Sequence, residues 1–264
     1  MSNTVAVLNQ KGGVGKTTVT LGLASAAWAG STRTLIVDLD AQANATWALG
    51  VDPSVDNLGT GDALAANRSG AAGDMVVESG WSDDIWLLPA SGDLTGHDAE
   101  PRRANSRRRL AKALRGVADD FELVLIDCAP SLGLNTTNGL AAAQGALLVV
   151  EPSEFGVRGV EPTLDLIEQV WTVDNRELDL SGVVLNRVPA ISTVAQDRIG
   201  DLKKLVGSDS VWTPPIPQRV LVGQAHHERA PIHSFGARAA ELAMVFDLLL
   251  QQLTQSLAVE PTME

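Results

Sequence analysis

A chain of 264 residues can bury one large α/β core, and it holds no apolar run of about 18 residues, so no membrane-spanning helix is expected. Its single cysteine, Cys128, excludes an intrachain disulfide and a multi-cysteine metal site within one chain; the sequence enters a strand at once, with no signal peptide, and a cytoplasmic protein is expected. The formal charge of −12 argues against a surface coated with nucleic-acid-binding charge, although seven of the 20 Lys and Arg fall between Arg102 and Arg115, where a local basic surface and a solvated helix face are both open.

Apolar strand-like runs stand at residues 4–8, 34–38, 85–88, 121–126, 146–150 and 182–186. Helical patterns lie near 17–29, 106–118, 135–143, 159–173, 194–206 and 236–254. This βαβα rhythm predicts an α/β fold, a doubly wound and mostly parallel sheet flanked by helices on both faces. Residues 50–84, rich in Gly, Ser, Asp and Ala, read as short helices and loops. Residues 1–258 form one domain in this reading, and 259–264 a frayed tail.

Between the first strand and the first helix stands KGGVGKTT, Lys11 to Thr18. It fits the phosphate-binding pattern G-x-x-x-x-G-K-[ST] and closes on Gly15-Lys16-Thr17; Gln10 takes the place of the opening glycine. A loop that wraps a triphosphate must turn several backbone N–H groups inward, a path that Gly12, Gly13 and Gly15 permit around Val14. The helix that follows aims its positive end at the phosphates. Lys16 is expected at the β- and γ-phosphates, the Thr17 hydroxyl on Mg²⁺, and Thr18 at the α-phosphate. Lys11 is a second cation, either a solvated loop lysine or a group supplied to the phosphates across a dimer; spacing leaves both open.

Two acidic strand ends complete the candidate site. LIVDLD places Asp38 and Asp40 two apart on an extended segment, so they point the same way. Asp40 is the candidate for orienting an attacking water, and Asp38 for bracing the loop and the metal shell, against the alternative of an ordinary turn. LVLID ends in Asp127, four apolar residues capped by a carboxylate, which suits a Mg²⁺ ligand acting through water. Cys128 reads as a small buried residue rather than a nucleophile.

With these pieces in view the chain resembles the ParA family of partition ATPases, in the wider ParA/MinD group of P-loop NTPases. KGGVGKTT matches the family's deviant Walker A loop, whose first lysine is its signature. VDLDAQANAT, LIDCAPSLGLNTTNGL and, more loosely, Pro217 to Ile232 (PQRVLVGQAHHERAPI) resemble three further family segments. The resemblance implies ATP and Mg²⁺ as ligands and a homodimer that sandwiches ATP, with Lys11 reaching the partner's nucleotide. It implies Asp40 as the hydrolysis aspartate, Asp127 as the Walker B aspartate, and Asn186 and Pro217 at the adenine. It also implies slow ATP hydrolysis, nonspecific DNA binding by the ATP dimer, and release by a ParB-like partner that stimulates hydrolysis. These properties would serve chromosome or plasmid partition and association with the nucleoid.

The chain departs from the family pattern at Ala41 and Ala129, which replace prolines, and at Gln218 and Leu221, which replace arginines of the DNA-contact region. Arg219, Arg229 and Arg238 remain as candidate DNA contacts. A rival reading is a ParA-like ATPase that positions a protein cargo without a DNA track. A MinD-like membrane ATPase is a further rival, but no cation follows Arg238 to attract anionic lipid.

Overall fold

The computed structural model describes residues 3–53, 58–218 and 220–258; Arg219 and the tail 259–264 lie outside the described residues. Seven strands form one sheet: β1 (Asn3–Leu8), β2 (Thr34–Asp38), β3 (Val77–Glu78), β4 (Ile85–Leu88), β5 (Leu123–Asp127), β6 (Gly145–Val150) and β7 (Asp179–Leu185). Their order across the sheet is β3-β4-β2-β5-β1-β6-β7. Every pairing is parallel except that of β3 with β4.

The near-continuous apolar strands are what a sheet covered on both faces requires. From Val5 to Leu8, and at Leu35, Ile36 and Val37, exposure is at most 1%. The helices α1 (Lys16–Ala29), α2 (Asn44–Ala48), α3 (Thr60–Ala66), α4 (Leu94–Ala99), α5 (Arg109–Leu114), α6 (Leu134–Ala142), α7 (Glu154–Arg158), α8 (Val160–Val173), α9 (Thr193–Val206), α10 (Val220–Glu228) and α11 (Ala240–Ala258) supply the cover. One apolar layer joins alternate strand residues to α3, α5, α6 and α8. The other joins them to α1, α10 and α11. α1 is apolar on nearly every side because α11 lies on its outer face; the Phe246 ring occupies the space a side chain at Gly22 would need.

This order places the end of β1 where the chain changes direction. From β1 it runs outward to β2 and β4, and from β5 it crosses β1 to reach β6 and β7. Ligands of open parallel sheets bind at such a reversal, beyond the carboxyl ends of the strands.

The six expected strands form, and β3 is an additional two-residue edge strand within the expected loop region 50–84. The helix expected over 106–118 is shorter. It runs from Arg109 to Leu114, because Ser106 closes a turn on Arg103 before it and Gly116, at φ 80°, turns the chain out of it. The last helix starts at Ala240 rather than near 236, where Gly236 breaks the helical path with φ 57° and ψ −134°. No helix among the described residues is long and apolar enough to cross a membrane.

The basic run resolves into internal contacts. Arg107 and Arg108 pair with Asp174, Arg109 with Glu100, Arg102 donates to the Leu132 carbonyl, and Lys112 donates to the Asn67 carbonyl. These five cations tie segments together rather than face solvent as one patch.

Candidate functional site

The loop after β1 is shaped from behind. Asn9 is buried; its Nδ2 donates to the Val149 carbonyl at 2.7 Å and its Oδ1 accepts from the Lys11 N–H at 2.8 Å. Asn186 Nδ2 donates to the Val14 carbonyl at 2.7 Å, and the Arg187 guanidinium to the Gly13 carbonyl at 2.6 Å. Gly15 caps α1 at φ 92°, and a side chain there would meet Asn186 Nδ2 at 2.1 Å, so both conformation and space demand glycine. The first-turn N–H groups of α1, which have no partner within the helix, lie beyond this loop.

A cavity of about 340 Å³ opens on the loop, lined by Gly12, Gly13, Gly15, Lys16, Thr17 and Thr18 on that side. Lys16 is 7% exposed, with Nζ 3.4 Å from the Lys11 carbonyl. Burial lowers its pKa, and the negative charges of Asp127 and Asp40 act against that shift. The Thr17 hydroxyl donates to Asp127 Oδ2 at 2.6 Å, and the Thr20 hydroxyl stands 3.2 Å from Oδ1.

Asp127 and Asp38 are register partners at the ends of β5 and β2, both without solvent exposure. Burial pushes the Asp127 carboxyl up to about 7, with the neighbouring Asp38 adding to the rise. Burial also raises Asp38, while hydrogen bonds from Thr46 oppose it. Asp38 Oδ2 accepts from both the N–H and the hydroxyl of Thr46 at 2.8 Å, and its Oδ1 from the Asp40 N–H at 3.1 Å. The Ala90 N–H in turn donates to the Thr46 hydroxyl. Asp38 therefore braces the segment that carries Asp40, while Asp40 lines the cavity and accepts from the Gln42 N–H at 2.9 Å.

The structure thus gathers Gly12, Gly13, Gly15, Lys16, Thr17, Thr18 and Asp40 on one cavity, with Asp127 directly behind Thr17. Asn186 and Pro217 take other places. Asn186 holds the loop from behind, and Pro217 bridges Val188 beside β7; neither lines the cavity. Lys11 turns away from its own cavity, its Nζ 3.3 Å from Ser153 Oγ and 4.0 Å from Glu151. Arg229 lies over the Trp47 ring at 4.5 Å, and Arg238 donates to Gln224 Oε1 at 2.9 Å. Cys128 is 1% exposed, and burial drives its thiol well above the ordinary range, which suits a packing residue.

Several site residues carry no motif. Thr20 follows Thr17 by three residues on α1, a spacing that puts both hydroxyls on one helix face and could have been read from sequence. Trp47, Arg187 and His226 line the cavity through tertiary packing of α2, the end of β7 and α10, for which the sequence has no local signal.

The comparisons agree with this geometry. The family model described as AAA domain matches residues 2–180. The sporulation initiation inhibitor protein Soj of Bacillus subtilis is 31% identical over 94% of this chain and 97% of its own length. The chromosome-partitioning ATPase Soj of Thermus thermophilus is 35% identical over 84% of this chain and 83% of its own. Among solved structures, cobyrinic acid a,c-diamide synthase from Mycobacterium smegmatis with bound ADP and magnesium superposes with a TM-score of 0.78, at 29% identity, covering 97% of this chain and 95% of that one. A buried lysine in a glycine loop, a threonine on a buried strand-end aspartate and relatives of this length lead to one conclusion: the chain belongs to the AAA-domain family and is a P-loop ATPase of the ParA/MinD type.

Proposed function

We propose that this ATPase is a ParA-type partition protein. In this reading it binds ATP with Mg²⁺, forms a homodimer around the nucleotide and hydrolyses it slowly. The ATP dimer binds DNA nonspecifically until a ParB-like partner stimulates hydrolysis. The cellular place is then the cytoplasm, on the nucleoid when DNA is bound, and the task is chromosome or plasmid partition. The observation that carries the reading is the cavity itself, where Lys16 and the Thr17–Asp127 pair meet Asp40. Relatives named as partition ATPases over most of their length support the role.

The residues fit Mg²⁺. Thr17 and Asp127 present two oxygens 2.6 Å apart, and the crowding of Asp127 against Asp38 is an excess of negative charge that a divalent cation relieves. Among the described residues no cluster of three or more His, Cys, Asp or Glu could hold a metal alone, which matches an ion that relies on water and phosphate oxygens for its remaining ligands. When bound, Mg²⁺ supplies charge neutralisation at the β- and γ-phosphates. The chain's own groups do the rest. The loop N–H groups and Lys16 hold the triphosphate, Asp40 orients water towards the γ-phosphate, and Lys11 reaches the nucleotide of the partner subunit.

Asp38 links that chemistry to conformation. Its hydrogen bonds join the Asp40 turn to α2 through Thr46, so a shift of Asp40 on loss of the γ-phosphate moves Trp47 and the Arg229 stacked on it. Arg229 and Arg238, both on the α10–α11 side, are the described candidates for DNA contact. The test is binding to nonspecific duplex DNA with and without ATP, at about 50 and 200 mM salt. ATP-dependent binding that weakens steeply with salt is expected. No binding at the lower salt sinks the DNA-track role and leaves only cargo positioning without DNA.

A further inference from the structure

Apart from the phosphate loop and the Asp40–Asn44 turn, the cavity is walled mainly by two short helices that meet only in the folded chain. α2 contributes Trp47 and Ala48, and α10, which packs on α2, contributes His226. Arg229, just past α10, closes the outside of this wall by stacking on Trp47.

His226 is the anomaly in that wall. Its Nε2 is shielded from solvent and has no hydrogen-bond partner. Burial lowers the pKa of the ring, so the imidazole is neutral near pH 7. Buried polar atoms are paired in the great majority of cases, and an unpaired one on a cavity wall marks a place where a ligand supplies the partner.

The chemistry selects which part of a nucleotide that is. The phosphates already have Lys16 and the loop N–H groups, and a neutral imidazole adds little to dense negative charge. It matches a neutral hydrogen-bonding edge: a ribose hydroxyl, or a ring nitrogen or amine of the base. Trp47 and Ala48 beside it offer the apolar surface that a sugar or base covers on binding. We propose that His226 is a nucleotide-contacting residue of this cavity and that its Nε2 hydrogen-bonds the nucleoside portion of the bound nucleotide. The proposal rests on the nucleotide-site assignment made above.

Calorimetric titration of the whole chain with Mg²⁺ present tests both, using ADP, 2′,3′-dideoxy-ADP, GDP and inorganic tripolyphosphate. His226→Ala should weaken ADP binding about tenfold, the loss of one well-placed hydrogen bond, and leave tripolyphosphate unchanged. His226→Gln, which keeps a hydrogen-bonding end, should recover most of the ADP affinity. A contact to the ribose makes the dideoxy nucleotide bind the wild type and His226→Ala alike; a contact to the base does the same for GDP. Either pattern supports the assignment. Unchanged ADP affinity in His226→Ala, or an equal loss for tripolyphosphate, overturns it. The site reading fails separately, if the wild type takes up neither ADP nor tripolyphosphate or if Lys16→Ala binds both undiminished. Matching thermal unfolding of wild type and both His226 variants rules out loss of fold as the cause.

Discussion

Asp127 shows how function can be set against stability at a single residue. Its carboxyl titrates at about 7 in the fold and, with a model value of 3.8, far lower in the unfolded chain. A group raised in this way contributes its stability fully below the unfolded value and loses it as pH rises through the folded one. The nucleotide-free, metal-free protein should therefore be less stable at about pH 8 than at about pH 5 on account of this residue. Asp127→Asn removes the buried charge and keeps an acceptor for Thr17. It should raise the unfolding midpoint at about pH 8 by several degrees and have little effect at about pH 5, while Mg²⁺-dependent ATPase activity falls at least about 100-fold. A variant melting below wild type at the higher pH would contradict the account of Asp127 as a strained ligand. Lys16, Thr17, Asp40 and Asp127 were legible in the sequence because local spacing fixes each on a loop or strand end. His226 and Arg187 were not, because no spacing records which distant segment closes a cavity.

At the scale of elements, the segment after Asp127 is held by the region that precedes it in sequence. α6 begins at Leu134 after Gly133, whose lack of a side chain leaves the helix without its own cap. Asp98 of α4 takes that place: Oδ1 accepts from the Asn135 N–H at 2.8 Å and Oδ2 from the Ser131 hydroxyl at 2.9 Å. Gly133 is required for this, since a Cβ there would stand 2.1 Å from the Asp98 carboxylate. Asn135 and Asn138, both buried, extend the seam to the carbonyls of Leu94 and Ser106, and Arg102 reaches the Leu132 carbonyl. Asp98→Ala leaves the α6 N-terminus uncapped and should cost about 1–2 kcal/mol by denaturant unfolding, with Asp98→Asn recovering part. Hydrogen exchange at Asn135 and Thr136 should rise in the alanine variant; unchanged protection there would show that Asp98 is not the cap. Apolar runs and 3.6-residue spacing reveal β1, α1, α8 and the main sheet from sequence. A six-residue helix such as α4 has no such period, and the arginines that follow it read as a surface only until their partners are known.

The whole molecule turns on Lys11. Its ammonium is a third exposed, 3.3 Å from Ser153 Oγ and 4.0 Å from Glu151, a pairing at the weak end of surface ion pairs, worth about 0–1 kcal/mol. Lys11 can therefore leave this position at little cost when a second subunit presents a triphosphate, whereas Lys16, buried beside Asp127, cannot. The two lysines of one loop thus divide the work, one holding nucleotide within the subunit and the other answering to the partner. Lys11→Ala should leave ADP affinity of the monomer within about twofold of wild type, because its side chain does not line the cavity. It should also lower the ATP-dependent dimer fraction by about tenfold or more, measured by light scattering in the Asp40→Ala background, where hydrolysis does not drain the dimer. Asp40→Ala alone is expected to accumulate dimer with ATP. The double variant separates the roles: a monomer that still binds ATP places Lys11 at the interface, and a dimer as stable as that of Asp40→Ala removes Lys11 from it and with it the reason for a second lysine in this loop.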